Sequence, residues 1–221
     1  MKRIEDILGM SVEKAIEEYF GSREEFERQL EKSRKLAEVE YRKWIEEAIL
    51  QSIGVPEIHR RKIIERKIIQ TKALRKARQH LREIRKGRWF LLMGNVGVGK
   101  SFAIAWLLWK LIHPEKRLLY LPAREIPSLP ESRLRKINIL ALDDVALELR
   151  ETKQTHFERL VEYAYDNGIQ LLMTTNIPFD DSIPTKKRTA TLSKLYDERT
   201  IDRIREMAIL EVVSGKSLRN G

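Results

Sequence analysis

The residues with the clearest chemical potential form a glycine-rich loop, Gly94-Asn95-Val96-Gly97-Val98-Gly99-Lys100-Ser101, which Phe102 follows directly. Glycines at this spacing let successive backbone N–H groups face phosphate oxygens at the positive end of a helix. Lys100 offers a positive charge to the β and γ phosphates of a nucleoside triphosphate, and the Ser101 hydroxyl is a hard oxygen ligand for Mg²⁺. The loop therefore predicts a site for ATP or GTP with Mg²⁺ at residues 94–102, and we expect ATP.

Two further segments end in polar residues that suit the same chemistry. Residues 137–144 form an apolar strand that ends in Asp143 and Asp144. Asp143 is placed to hold Mg²⁺, and Asp144 is placed to orient or deprotonate the attacking water. Aspartates at a strand end can also be simple helix caps, so this assignment depends on the glycine-rich loop. Asn176 follows the strand 169–175 and could hold the lytic water or sense the γ phosphate, although an Asx turn before Pro178 explains it equally well.

The elements that must position these residues alternate between strands and helices from Trp89 onward. The strand 88–93 leads into the glycine-rich loop, and a helix over 102–112 follows the loop. This alternation is typical of a parallel sheet flanked by helices, so the predicted fold class is α/β, with an all-helical region before it. A later helix, 197–205, carries Arg199 and Arg203 on one face, four residues apart.

Composition excludes several classes of protein. The chain has 221 residues and no cysteine, which rules out disulfide frameworks, thiolate zinc sites and thiol catalysis. No signal peptide and no apolar run long enough to cross a bilayer is present in the sequence. We therefore expect a cytoplasmic protein that is not associated with a membrane.

The net charge of +10 comes from one segment, because residues 59–88 carry 13 Lys and Arg against 2 Asp and Glu. Apolar residues at helical spacing within it predict one or two basic amphipathic helices, with Thr71 as an N-cap. The basic side is either an ordinary solvated face or a surface for nucleic-acid phosphates, with Arg75, Arg78 and Arg82 as candidate DNA contacts. A membrane-surface helix would need a larger aromatic or leucine face.

The N-terminal region is predicted to contain a long helix that starts at a capping box formed by Ser22 and Glu25 and stops at Gly54 and Pro56. Its single apolar stripe cannot be buried by the helix alone. The stripe packs either on the next domain or on another protein. We expect three parts: a helical partner-binding region at 1–53, basic linker helices at 54–88 and an ATPase domain at 89–221.

In their order along the chain, these motifs resemble the DnaC/IstB group of AAA+ ATPases, and within it the bacterial replicative helicase loaders. The motifs that carry the resemblance lie within residues 54–219 and are Gly54-Val-Pro56, Ala73 to Gln79, Gly94 to Ser101, Leu142-Asp-Asp144, Thr174-Thr-Asn176, Glu198 to Arg203 and Gly215-Lys-Ser-Leu-Arg219. The resemblance implies a sheet of five parallel strands without a helical lid domain. It also implies that Asn176 is sensor 1 and that Arg203 is an arginine finger for the ATP site of a neighbouring subunit.

The same resemblance implies partners: a hexameric replicative helicase held by the N-terminal helices, single-stranded DNA, and further copies of this chain in an ATP-dependent oligomer. Two departures stand out. Relatives of the replication-initiator branch have an additional helix that faces DNA between the corresponding strands. The connection 122–136 of this chain is short and contains three prolines, so we do not expect DNA contact through such a helix. Asp144 replaces the glutamate of faster ATPases, which suggests slow turnover. The polar basic loop at 185–193 has no assigned role.

Two other functions remain open from the sequence. One is an IstB-like ATPase that binds double-stranded DNA and recruits a transposase. The other is a scaffold that binds ATP without hydrolysing it.

Overall fold

The computed structural model of the protein describes residues 11–146, 151–182, 190–215 and 217–218. The chain divides into two compact units, residues 1–48 and residues 49–221. The predicted loop at 185–193 lies partly outside the described residues. Arg219, the last residue of the motif that begins at Gly215, lies outside them as well.

The smaller unit contains helix α1 (Val12–Phe20) and most of helix α2 (Arg23–Ser52). Helix α2 begins as predicted, because the backbone N–H of Glu25 donates to Ser22 Oγ at 3.1 Å. Within this unit the rings of Phe20 and Phe26 meet edge to face, with centroids 5.0 Å apart. Several large apolar side chains of α2 are exposed; they are Leu30, Leu36, Val39, Tyr41 and Trp44.

The larger unit is built on a sheet of five parallel strands. The strands are β1 (Trp89–Gly94), β2 (Leu118–Pro122), β3 (Ile139–Val145), β4 (Gln170–Thr175) and β5 (Ala208–Val213), in the order β2-β3-β4-β1-β5. The three central strands are buried along almost their whole length, as expected for a parallel sheet that is covered on both faces. Because the strands are parallel, β1, β3 and β4 end at the same edge, which brings the predicted site residues together. The predicted α/β class with a helical N-terminal region is confirmed.

Helices flank this sheet. They are α3 (Glu57–Ile64), α4 (Lys72–Gln79), α5 (Leu81–Arg85), α6 (Lys100–Leu111), α7 (Glu131–Leu134), α8 (Glu151–Asp166), α9 (Leu192–Leu195) and α10 (Glu198–Met207), with a 3₁₀ helix at Ala123–Ser128. The connection 122–136 thus contains only the 3₁₀ helix and α7, each of six residues or fewer. No helix in the described part of the chain is both long enough and apolar enough to cross a membrane.

The basic segment forms α3, α4 and α5, all in the same unit as the sheet. Thr71 caps α4 as predicted, accepting from the backbone N–H of Leu74 at 3.0 Å. The apolar side of α4 is fully buried, with Leu74 and Ala77 in the same core cluster as the apolar face of α6. The amphipathic pattern of this segment is therefore explained by packing on the helix and sheet of the larger unit.

Candidate nucleotide-binding site

The phosphate loop connects β1 to α6, and its glycines are required by close contacts on both sides. Gly94 has a φ of 149°, and a Cβ atom there would lie 2.1 Å from the backbone oxygen of Val213 on β5. Gly97 has a φ of 83°, and a Cβ atom would lie 2.2 Å from Ser217 Oγ. Both positions combine a left-handed backbone with a neighbour that leaves no room for a side chain. The loop conformation thus depends on glycine at these two positions.

Lys100 stands at the centre of the loop and is only 5% exposed. Its Nζ donates to the backbone oxygens of Gly94 at 2.7 Å and Asn95 at 2.9 Å, and to Asn176 Oδ1 at 2.8 Å. A buried ammonium is costly unless its donors are satisfied, and these three acceptors match its three N–H groups. The contact to Asn176 joins the phosphate loop to the end of β4.

Asp143 is held by hydroxyl groups from the two strands beside its own. The Tyr120 hydroxyl on β2 donates to Asp143 Oδ2 at 2.7 Å, and the Thr174 hydroxyl on β4 donates to Asp143 Oδ1 at 2.6 Å. Burial and then the Asp143 charge raise the pKa of Tyr120 well above its usual range, so its hydroxyl stays protonated and remains a donor. Both carboxylate oxygens are therefore fixed in direction.

Asp144 occupies a bulge in β3. The register between β3 and β4 shifts between Leu142 and Val145, and Asp144 has a φ of 60°, in the left-handed region. Its backbone N–H donates to Thr174 Oγ1 at 2.9 Å, and its Oδ1 accepts from Asn176 Nδ2 at 3.3 Å. Backbone strain of this kind concentrates at functional sites. The bulge lets two consecutive aspartates both reach the site.

A pocket of about 660 Å³ opens beside these groups, within the size range of small-molecule sites. Predicted residues that line it are Val96, Gly97, Gly99, Lys100, Ser101, Phe102, Asp143, Asp144 and Asn176. Of the other loop residues, Gly94 and Asn95 bind the Lys100 ammonium and Val98 is buried in the core. The structure thus gathers the residues predicted from three separate segments around one pocket.

The pocket also has apolar walls that the phosphate loop does not supply. Ile58, Ile69 and Leu218 line it, and the backbone N–H of Leu218 donates to the Gly97 oxygen at 2.9 Å. His59 lines it as well, with its ring 5.9 Å from that of Phe102 in an edge-to-face arrangement. The buried His59 Nδ1 has no hydrogen-bond partner among the described residues. Burial lowers the pKa of His59 below its usual value of 6.5 and Lys62 adds to this, while Asp143 opposes it.

ATP and Mg²⁺ both suit this donor set. The pocket combines an apolar wall for a base, a buried lysine for phosphates and two carboxylates beside a serine hydroxyl. Ser101 and Asp143 offer the hard oxygen atoms that Mg²⁺ prefers, and Mg²⁺ commonly binds through one or two carboxylates together with phosphates and water.

Comparison with known proteins supports this interpretation at the level of the fold. No family model matches the chain, and no curated protein matches it either. Among solved structures, a Streptococcus pyogenes protein described as a primosome component aligns with 77% of this chain and 97% of its own, at 16% identity and a TM-score of 0.55. The replication initiator DnaA bound to AMPPCP and single-stranded DNA aligns with 68% of this chain at 17% identity and a TM-score of 0.51.

DnaA from Aquifex aeolicus bound to AMPPCP aligns with 66% of this chain, at 18% identity and a TM-score of 0.50. The fold is that of an AAA+ ATPase domain. This confirms the resemblance drawn from the motifs at the level of the fold. The aligned region spans about half the length of the two DnaA chains.

The predicted arginine finger, Arg203 on α10, is not among the described residues that line this pocket. Its side chain is 10% exposed and lies 3.5 Å from both Glu162 Oε1 and Asp166 Oδ1 on α8. Its guanidinium also lies over the ring of Tyr165, 5.0 Å from the centroid. Arg199, one turn earlier, is exposed and 3.0 Å from Glu162. A finger acts on a neighbouring subunit, so its role remains a prediction.

The three candidate DNA contacts of the basic segment, Arg75, Arg78 and Arg82, are all exposed, but they differ in their surroundings. Arg78 lies over the Trp106 ring at 5.4 Å and hydrogen-bonds to Gln70. Arg75 and Arg82 have no ion-pair partner in the parts of the chain that the structure describes.

Sequence reasoning missed three functional candidates: Tyr120, Thr174 and His59. Tyr120 and Thr174 act through contacts with a neighbouring strand, and no local pattern in the sequence signals such a contact. Thr174 was part of a motif that carried the resemblance, but no role followed from it. His59 belongs to none of the sequence motifs, so no local pattern pointed to its place in the pocket wall.

Proposed function

We propose that the protein is a cytoplasmic, ATP-dependent loader that binds a replicative DNA helicase and helps to place it on single-stranded DNA during replication initiation. The observation that carries the proposal is the joined network of Lys100, Asn176 and Asp144 in an AAA+ domain. The same chain presents a helix with exposed aromatic side chains. Together, these features suit a protein that couples nucleotide state to a partner.

The chemistry at the pocket is slow ATP hydrolysis. Lys100 binds the β and γ phosphates, and Ser101 with Asp143 holds the metal side of the site. Bound Mg²⁺ supplies positive charge that offsets the charge of the phosphates. Asp144 orients the attacking water, and Asn176 links that carboxylate to Lys100. Because Asp144 is shorter than glutamate and sits on a strained bulge, we propose turnover suited to a switch.

ATP lies at subunit interfaces in this proposal, because the candidate finger, Arg203, is absent from the pocket of its own chain. Arg203 would add charge where the γ phosphate of a neighbouring subunit leaves. This requires an ATP-dependent oligomer. It also requires that the Arg203 side chain leave Glu162 and Asp166, or reach beyond these two carboxylates, to contact the γ phosphate of ATP bound to the neighbouring subunit.

The helicase is proposed to bind through residues 1–53. Trp44 is 66% exposed, and Tyr41 stacks on it with a centroid distance of 6.1 Å. Aromatic side chains on an exposed helix are frequent anchors of protein interfaces. Within the smaller unit, this stripe is an apolar surface of the kind that a partner would cover.

DNA is proposed to bind the basic linker helices through Arg75, Arg78 and Arg82. One structural relative, DnaA, is bound to AMPPCP and single-stranded DNA. Neutralising phosphates releases counterions, so affinity should fall steeply with salt.

The test is a pull-down of the full chain with the replicative helicase from the same source, with and without ATP. Trp44→Ala is expected to abolish capture. Arg42→Ala is the matched control, since Arg42 is exposed on the same helix and lies outside the apolar stripe. If the wild-type chain captures the helicase neither with ATP nor without it, the proposed loader function is refuted.

Two further measurements separate the alternatives. Filter binding of single-stranded and duplex DNA over a salt series is expected to favour the single strand, and a strong duplex preference would instead indicate a transposition regulator. Measurable ATP turnover that is lost in Lys100→Ala and in Arg203→Ala excludes a non-hydrolysing scaffold. Loss in Lys100→Ala alone would contradict the proposed finger.

A further inference from the structure

A second concave site lies on the outer side of helix α6, away from the nucleotide pocket. This tryptophan cleft has a volume of about 480 Å³ and shares no lining residue with the nucleotide pocket. Trp106, Trp109 and Lys110 of α6 form one side, and residues of α4, α5 and the preceding turn form the other. The lining from that second side is Ile68, Arg78, Leu81 and Arg85.

Cations are held over both indole rings of the tryptophan cleft. Lys110 Nζ lies 3.7 Å from the centroid of the Trp109 ring, and the Arg66 guanidinium lies 4.5 Å from the same centroid. Arg78 lies 5.4 Å from the centroid of the Trp106 ring. Contacts of this kind hold long side chains near the ring face. The positive groups are thus partly ordered before any ligand arrives.

None of the described residues that line the cleft is acidic. The basic segment contains only two carboxylates, Glu65 and Glu83, and neither is among the lining residues. Glu65 is paired with Lys67 at 2.8 Å. Trp106 also lines the cleft while only 4% exposed, and its indole N–H has no hydrogen-bond acceptor among the described residues. A buried donor without an acceptor is unfavourable, so an acceptor from a ligand would be stabilising.

From this arrangement we infer that the tryptophan cleft binds single-stranded nucleic acid. Lys110, Arg78 and Arg85 contact the phosphates, and Trp109, which is partly exposed, stacks on an unpaired base after Lys110 has left its ring for a phosphate. Positive grooves that contain aromatic side chains bind single strands in this way. The volume of about 480 Å³ suits one or two nucleotides, and a duplex offers no unpaired base because its bases are already stacked on each other. The inference deepens the DNA-binding part of the proposed function and identifies residues that the charge pattern did not.

The experiment is fluorescence anisotropy of labelled 15-residue oligothymidylate with the full chain over a salt series. Arg78→Gln, Arg85→Gln and Lys110→Gln are each expected to weaken binding about three- to tenfold and to lower the salt slope by about 0.7, the share of one single-strand phosphate contact. The matched control is Lys72→Gln, which removes the same charge from an exposed position on α4 outside the cleft. Quenching of tryptophan fluorescence by the oligonucleotide should disappear in Trp109→Phe and persist in Trp44→Phe.

A parallel titration with oligouridylate compares single-stranded RNA with single-stranded DNA. A second titration with duplex DNA compares double with single strands. Binding of either single strand that depends on the cleft supports the inference, whereas tighter duplex binding would overturn it. If the wild type binds oligothymidylate but the cleft variants bind it as tightly as Lys72→Gln does, binding in the cleft is refuted. The proposed DNA binding by the protein would still stand. If the wild type binds no single strand, both fail. Nucleotide binding, measured on each variant, must remain at the wild-type level because no cleft residue lines that pocket.

Discussion

Replacing Tyr120 with phenylalanine removes one oxygen atom and tests how the site holds Asp143. The Tyr120 hydroxyl is buried and donates to Asp143 Oδ2 at 2.7 Å. A hydrogen bond to a charged group contributes about 1.5–3 kcal/mol to stability. For a unit of this size, each kcal/mol corresponds to about 2–4 °C in Tm, so Tyr120→Phe is expected to lower Tm by about 3–12 °C.

The variant should also affect function by more than its stability suggests. Thr174 would still hold Asp143 Oδ1, but the carboxylate could rotate because its second oxygen has lost its donor. Loss of a residue that orients a metal ligand typically costs about 10–100-fold in metal affinity or activity. We therefore expect the Mg²⁺ concentration needed for half-maximal ATP turnover to rise by about that factor at a temperature where the variant is folded.

The matched control is Tyr165→Phe. The Tyr165 hydroxyl donates to Glu206 Oε2 at 3.1 Å, so the chemical change is the same, but the hydrogen bond lies at the surface. Tm and the Mg²⁺ requirement should both stay close to wild type. A Tyr120→Phe variant with an unchanged Mg²⁺ requirement would show that this hydrogen bond does not position Asp143 for the metal, whatever its effect on Tm.

Three other changes test the fold around the site. Gly94→Ala should destabilise the protein more than Gly87→Ala, because both glycines have positive φ but only Gly94 would place a Cβ atom against Val213; equal losses in denaturant titrations would contradict the close approach. Leu74→Ala should cost about 2–5 kcal/mol, since this side chain is fully buried, and a cost below about 1 kcal/mol would mean that α4 is not integral to the ATPase unit. The lowered pKa of His59 means that the unfolded chain binds its proton more readily, so stability is lost as pH falls through about 6.5. His59→Phe should lose less stability than wild type between about pH 7.5 and pH 5.5, and parallel curves would refute the assignment.

The phosphate loop and its sheet could be predicted because their signals are local. Gly94, Gly97 and Lys100 are close in sequence, and a strand before them with a helix after them leaves little choice of conformation. The helix start at Ser22 and the cap at Thr71 were also correct, because a side chain that accepts from a backbone N–H three residues later needs no distant partner.

The contacts that orient the carboxylates could not be predicted in the same way. Tyr120 and Thr174 reach Asp143 across strand pairs whose register is set by the whole sheet. The bulge at Asp144 is a departure from regular strand pairing. The local sequence, apolar residues followed by two aspartates, does not predict it. The sequence therefore predicted the candidate catalytic groups, whereas the structure was needed to find the contacts that hold them.

In the basic segment, the apolar residues and the basic residues have different explanations. The apolar residues at helical spacing are accounted for, because Leu74 and Ala77 pack with the apolar face of α6. The apolar packing does not involve the charged groups of Arg66, Arg78 and Lys110, which lie over two tryptophan rings. Cations beside aromatic rings suit a polyanionic ligand whose bases can stack. The argument for nucleic-acid binding thus rests on the position of these three cations, and no longer on the net charge of the segment.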